Sequence, residues 1–234
     1  MNQVKAKTGK KRFMARPLPF EAYAGKKIAK WEAVAKRRGI DVVDAAGVSP
    51  VQEMIYFWNG YKRMRVEHME GALERLDDYR ATAEREAKGE KGWEENLEGD
   101  EVLAYYCLRG TVLHRIGRTE EARALLKEKF LGMDLATFKG IIGAQGESWV
   151  LPVAHYETAV MDWDEYMGLA VGNDGVEDLE RLDKEERQTG EAALKRCAAG
   201  VDKVSKWESY DLDARIGIKV RNAQNTLKKR GALA

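Results

Sequence analysis

The sequence predicts an all-α fold in which antiparallel helix pairs stack into a short solenoid. Three observations predict it. Apolar residues recur at three- and four-residue spacing along most of the 234-residue chain, the period of a buried helix face. Only four prolines interrupt that pattern. Two helix pairs share one register of small and large residues, Gly60/Ala72/Leu76 and Gly110/Ala122/Leu126, with a constant offset of 50 residues, and such self-similarity marks a repeat architecture.

The elements follow in order. Residues 1–16 carry Lys5, Lys7, Lys10, Lys11, Arg12 and Arg16 and no acid, and are expected to be a basic disordered leader. Arg16 to Phe20 is extended, because a residue before proline is kept out of the helical region. Phe20, Tyr23, Ala24, Lys27, Ile28, Trp31, Val34 and Ala35 then mark a helix face that closes near Gly39. Ser49 as N-cap with Pro50 at the first helical position starts the next helix, expected over 51–65. It is apolar nearly all round through Met54 to Trp58, which predicts burial between neighbours. Its partner spans 66–87. A polar stretch with three glycines, 88–99, is an exposed loop.

Helices over 100–116 and 119–130 follow, separated by Gly117 in a left-handed cap, with Thr119 opening the second. Residues 131–147 are irregular apart from a short helical turn at 135–138. A helix over 149–163 precedes an acid- and glycine-rich stretch, 164–189, expected as an exposed excursion. Helices over 190–207 and 212–229 complete a repeat domain spanning 17–230.

Composition bounds the class. Hydrophobic residues make up 44% and charged residues 34%, a globular balance. Cys107 and Cys197 are too few for a disulfide framework and, with three histidines, form no zinc pattern. No apolar run reaches the roughly 20 residues that cross a bilayer, and the N-terminus lacks a secretory h-region, so a soluble cytoplasmic chain is the expectation. The net charge of +1 hides an asymmetry: +10 over 1–65, −14 over 66–187 and +5 over 188–234.

The shared register has a physical meaning. A glycine or alanine is needed where two helix axes approach closely, since a larger side chain would hold them apart. Gly60 and Gly110 are expected on the first helix of each pair, Ala72 and Ala122 opposite on the second, and Leu76 and Leu126 in the layer above. The spacing resembles the tetratricopeptide repeat, most of all in Leu108 to Leu126, with the 88–99 loop accounting for the excess over its about 34-residue unit.

Four segments narrow the resemblance: Met54 to Tyr61, with its Trp58-Asn59-Gly60-Tyr61; Gly99 to Leu126; Trp149 to Trp163, with Leu151-Pro152; and Tyr210 to Val220. Together they resemble the C-terminal part of the tetratricopeptide repeat protein 39 family, within it most of all the fungal inclusion-body clearance, or mitochondrial outer-membrane, proteins. The resemblance implies a helical repeat scaffold, without catalytic residues, that serves the clearance of aggregated protein. It also implies locations in the cytosol and nucleus, at the mitochondrial outer membrane and at lipid droplets.

The residues themselves offer no catalytic constellation. His68 with Glu70, and His155 with Glu157, are two apart on a helix and face different sides. The Gly140/Gly143/Gly146 spacing is not a dinucleotide fingerprint, and the acids at Asp162, Asp164 and Asp174 do not fit a calcium loop. No enzyme, cofactor or metal site is expected. The groove of such a solenoid is lined by the first helix of each pair, which places Phe57, Tyr61, Cys107, Thr111 and His114 there, although Phe57 and Tyr61 read equally as core side chains. These residues lack the Lys, Asn and Arg that clamp a peptide carboxylate, so an apolar helix or another part of the protein is the expected occupant. Lys5, Lys7, Lys10, Lys11, Arg12 and Arg16, with Lys26, Lys27 and Lys30, are candidates for contact with an anionic membrane surface. Nucleic acid is not expected, because the acidic middle repels phosphate.

Overall fold

The computed structural model of the chain describes residues 12–13, 16–47, 50–86, 94, 99–144, 146–171, 177–207 and 209–233. The leader expected over 1–16 and the loop over 88–99 fall almost wholly outside them; within the leader, Arg12–Phe13 pairs antiparallel with Arg16–Pro17. The described helices are α1 (Pro19–Arg38), α2 (Pro50–Phe57), α3 (Val66–Glu86), α4 (Gly99–Arg115), α5 (Thr119–Leu126), α6 (Leu135–Ile142), α7 (Val150–Ala170), α8 (Lys184–Ser205) and α9 (Asp213–Lys229). A 3-10 turn at Tyr61–Arg63 follows α2, and a π-helical turn at Lys127–Leu131 extends α5. The fold is all-α, and its helices pack as successive antiparallel pairs: α3 with α4, α4 with α5, α7 with α8, α8 with α9.

α4 is the axis of the molecule. Every residue from Asp100 to Leu108 and from Gly110 to His114 is buried, because α3, α5, α6 and α7 all pack against it. This is where a helix that is apolar all round belongs. α2 does not behave this way. Phe57 and Tyr56 are buried, but Val51, Met54 and Trp58 stand exposed, so the apolar run through 54–58 covers only one buried face.

α2 also stops eight residues short of the expected end at 65. Asn59 takes a left-handed conformation (φ 57°), which breaks the helix before Gly60. A Cβ on Gly60 would meet Ile55 Cγ2 at 2.8 Å and Ile55 O at 3.0 Å, not α3. Gly60 is therefore a turn glycine folded back on α2, and the axis crossing assigned to it from the repeat register is corrected. Ala72 and Leu76 are nonetheless fully buried.

In the second pair, a Cβ on Gly110 would fall 2.7 Å from Leu126 Cδ2, so α4 meets α5 where only a glycine fits. Ala122 and Leu126 are fully buried there. Gly117 (φ 86°) turns the chain, and Arg118 N donates to Leu113 O at 2.9 Å, closing α4 on a left-handed residue. The residue before α5 is Arg118; Thr119 is already inside the helix.

The stretch 164–189, expected as one excursion, is mostly helix. α7 runs on to Ala170, because Tyr166 and Ala170 bury against Ala193 of α8. α8 begins at Lys184 on a capping box, with Asp183 accepting from Glu185 N and Glu186 N and Glu186 answering to Asp183 N, which satisfies otherwise orphaned donors. The connection is thus confined to 171–183, where the described residues 177–181 are exposed. The two helices of this pair also cross closely: a Cβ on Gly200 would come 2.9 Å from Ala159 Cβ. Likewise the helical turn expected at 135–138 extends over all of α6, started by Asp134 accepting from Thr137 N at 2.8 Å.

Candidate partner-binding cleft

Between α4, α7, α8, α9 and the turn after α2 lies a half-open cleft of about 480 Å³, within the range of ligand-binding pockets. Its floor is buried side chain: Tyr56, Tyr61, Thr111, Glu157 and Val201. Its rim holds the exposed Asn59, Lys62, Asp164 and Asn222. Trp163, Tyr156 and Val160 supply an apolar wall.

Each wall has a local cause. The break at Asn59 swings Tyr61 inward, where its hydroxyl donates to Gln52 Oε1 at 2.6 Å. α9 is docked at both ends of its first turn. Asp211 accepts from Lys26 Nζ at 2.6 Å and Ser148 Oγ at 2.7 Å. Arg215 Nε donates to Phe57 O at 2.8 Å, capping the last turn of α2 and covering the Trp58 ring at 4.9 Å. One turn further along α9, Lys219 is thereby carried over the cleft.

The electrostatics of the floor are unusual. Glu157, 1% exposed, accepts from Tyr56 Oη on Oε1 at 2.8 Å. Its Oε2 accepts no hydrogen bond among the described residues; Arg115 Nη2 stands 3.7 Å away. The Lys219 ammonium lies 3.9 Å above the Tyr56 ring, an attractive cation–π placement. Burial pushes the Lys219 pKa down, and Arg115 and Arg215 add to that against the pull of Glu157. Burial, then Glu157, pushes the Tyr56 phenol well up.

Of the five residues placed in the groove from the sequence, Tyr61 and Thr111 line the cleft. Phe57 does not: it is core, edge-on to Tyr23 and Trp149 at 5.7 and 5.1 Å. Cys107 also faces inward, its Sγ 3.7 Å from Val150 O. His114 stands one layer behind, its Nε2 2.9 Å from Asp164 Oδ2 and Nδ1 3.2 Å from Thr119 Oγ1. The named groove positions carry no carboxylate-clamping side chain; the cations of the cleft come from elsewhere. Arg115, Lys62 and Lys219 line the cleft, but two of them lie outside the repeat register and the third comes from the last helix. The only sequence signal was the basic character of α9.

The candidates for membrane contact divide. Lys5, Lys7, Lys10 and Lys11 lie outside the described residues, and Arg12 and Arg16 sit in the two short paired strands. Lys26, Lys27 and Lys30 are not available, because each is held in an ion pair. Lys27 Nζ lies 2.6 Å from Glu53 Oε1 and 2.9 Å from Glu147 Oε1. Lys30 Nζ lies 2.6 Å from Asp100 Oδ2 and also bonds Glu101.

This second buried cluster, unseen in the sequence, converges on Tyr23. Its hydroxyl is 2.9 Å from Glu53 Oε2 and 2.8 Å from Glu147 Oε2, and Trp149 Nε1 donates to Glu147 Oε2 at 2.7 Å. One phenol proton cannot serve two carboxylates. Burial, relieved in part by Lys27, raises the Glu53 pKa to about 8, so its protonated carboxyl donates to Tyr23, which donates to Glu147. Burial also opposes charge on Glu147, but Lys27 and Lys30 outweigh it and hold that carboxylate ionised. Asp100, Glu101 and Glu147 approach closely enough to suggest a cation site; the ammonium groups of Lys30 and Lys27 supply the cations.

A family model described as Iml2/Tetratricopeptide repeat protein 39 matches residues 1–116. An inclusion body clearance protein iml2 of Aspergillus niger is 37% identical over 225 residues, 94% of this chain and 31% of its own length. The chain belongs to this family. The protein of the same name from Aspergillus terreus is 39% identical over 222 residues, covering 94% of this chain and 30% of its own. That of Yarrowia lipolytica is 27% identical over 232 residues, 97% and 28%. The chain thus spans less than a third of the length of the curated family members it matches. No solved structure matches it.

Proposed function

We propose that the chain is a non-catalytic helical-repeat scaffold that holds a protein partner in the cleft between α4, α7 and α9. The observation that carries this reading is the cleft itself: half-open, walled by aromatic rings, and floored by charged groups with incomplete pairing. Its relatives are named for inclusion body clearance, and we assign this chain a part in the same process, with aggregated protein or a clearance factor as partner.

The titratable side chains support a binding role over a catalytic one. Burial raises the Cys107 thiol well above its ordinary value and the Cys197 thiol to about 12, so neither supplies a thiolate. Burial, then Lys203, lowers His155 to about 4; its Nε2 is 3.1 Å from Lys203 Nζ. His114 is engaged by Thr119 and Asp164. A membrane-facing role would rest on Lys5 to Arg16 alone, now that Lys26, Lys27 and Lys30 are ion-paired. Among the described residues no helix is long and apolar enough to cross a membrane.

The test fills the cleft from its rim. Asn222→Arg with Thr226→Arg leaves the core untouched, as its helical circular dichroism should show. In cells carrying an aggregation-prone reporter, the wild-type chain should speed the loss of inclusions and the double variant should not. Clearance by the variant at the wild-type rate would show that the cleft is not the working surface.

A further inference from the structure

We propose that the outer face of α2, continued onto the start of α9, is a docking surface for an acidic amphipathic helix of a partner protein, separate from the cleft.

α2 is apolar on two sides. Its inner side buries Tyr56 and Phe57 in the core. Its outer side carries Val51, Met54 and Trp58, which are 63%, 39% and 46% exposed. Trp58 N still donates to Met54 O at 3.0 Å, so all three follow the helix. Spaced by three and four residues, they form one stripe, about 10 Å long at a rise of about 1.5 Å per residue. A surface helix ordinarily turns polar side chains outward. On α9 the Arg215 guanidinium stands 4.9 Å over the Trp58 ring, and Ile218, one turn on and 56% exposed, widens the stripe. None of Val51, Met54, Trp58 and Ile218 lines the cleft.

The centre of this face is held still. Phe20 packs edge-on to Trp58 with centroids 4.7 Å apart, and Arg215 is tied through Nε to Phe57 O at 2.8 Å. Side chains fixed before binding lose little freedom on docking, and Trp and Arg are the residues that most often anchor an interface.

Charge then selects the occupant. From Pro50 to Arg63 and from Asp213 to Asn222 the exposed charges are Lys62, Arg63, Arg215 and Arg221 against Asp213 alone. None of these cations forms an ion pair among the described residues. A second copy presenting the same face would set the cations against themselves. Residues 1–11 bring Lys5, Lys7, Lys10 and Lys11 and no acid, so the chain's own leader is repelled too. A bilayer takes apolar side chains that reach about 5–10 Å into it, whereas Trp58 is laid down between Phe20 and Arg215. Nucleic acid would meet an apolar stripe where its phosphates need donors. A helix with one apolar stripe flanked by Glu or Asp matches both the stripe and the cations.

The experiment follows the fluorescence anisotropy of three labelled mixtures of hydrocarbon-stapled helical peptides added to the folded chain. All carry Leu, Met, Phe or Trp along one stripe; their other positions are Glu with Ala, Gln with Ala, or Lys with Ala. The Glu mixture should bind saturably, about tenfold tighter than the Gln mixture, with the Lys mixture weakest. Met54→Asp and Ile218→Asp should each weaken the Glu mixture by about tenfold or more. Helical circular dichroism should not change, because both side chains stand exposed. Arg221→Glu should weaken the Glu mixture and strengthen the Lys mixture. Equal binding of the Glu and Lys mixtures, full affinity in Met54→Asp, or no saturable binding at about millimolar peptide would overturn the proposal. So would phosphatidylserine vesicles, a single-stranded oligonucleotide or a second copy of the chain binding in a way that Met54→Asp abolishes while the Glu mixture stays unbound.

Discussion

Two of the places where the described residues bury charge are finished differently. At Tyr23, Lys27, Glu53, Glu147 and Trp149, each buried ionised or protonated group has a partner at 2.6–2.9 Å. At Glu157 and Lys219, across the stacked rings of Tyr56 and Trp149 (centroids 6.2 Å apart), a carboxylate oxygen and an ammonium lack hydrogen-bonding partners among the described residues. The first cluster joins α1 to the start of α2 and to the residues before α7, so it fixes architecture. The second opens on a cleft. A complete network holds a fold together, whereas an incomplete one facing solvent is poised for something that arrives from outside.

The largest effect that could break this contrast is at Lys27. Lys27→Met strands Glu53 and Glu147 in the core with only Tyr23 and Trp149 between them, which should cost about 3–5 kcal/mol, read by urea denaturation. A loss below about 1 kcal/mol would mean the cluster is no more than a surface pair.

Next comes its pH response. The Glu53 pKa rises on folding from 4.5 to about 8, so its contribution is fully present below pH 4.5 and is lost as pH rises through 8. Glu53→Gln mimics the protonated carboxyl and keeps both bonds. Between pH 5 and 8 the wild type should lose on the order of a few kcal/mol relative to this variant. Parallel stability curves would show that Glu53 is ionised in the fold.

Much of the fold was legible in the sequence, for reasons that also explain what was not. Helix periods survive in sequence, and so α1, α3, α4 and α9 lie close to where spacing put them. The end of α2 was missed because the left-handed Asn59 reads like any loop-tolerant residue inside an apolar run. That error carried into the site: with the helix extended to 65, Phe57 and Tyr61 fall on one groove face, while the break sends Phe57 to the core and Tyr61 to the cleft. Spacing along the chain reads the buried lysines as a surface because their acidic partners, Glu53, Asp100, Glu101 and Glu147, lie 26 residues or more away. Lys219 was invisible for the same reason. Only the folded chain brings α9 over α4.

Helix packing gives smaller effects. Gly200→Leu would drive a side chain into Ala159, where even a Cβ comes within 2.9 Å, and should cost about 1–3 kcal/mol by thermal denaturation. Gly25, mid-way along α1, has open space around its Cβ direction. Gly25→Ala should therefore stabilise the chain by about 0.5–1 kcal/mol. The opposite sign at either glycine would show that the α7–α8 or α1 packing differs from the one described.

The central claim, that the cleft charges serve a ligand and not the fold, is tested most directly by the thermal midpoint of Lys219→Met. Lys27→Met should lower the midpoint by roughly 10 °C. Lys219→Met, removing a half-buried ammonium that makes only a ring contact among the described residues, should leave the midpoint at or above that of the wild type. A fall as large as that of Lys27→Met would contradict the account and make Lys219 one more member of the structural network.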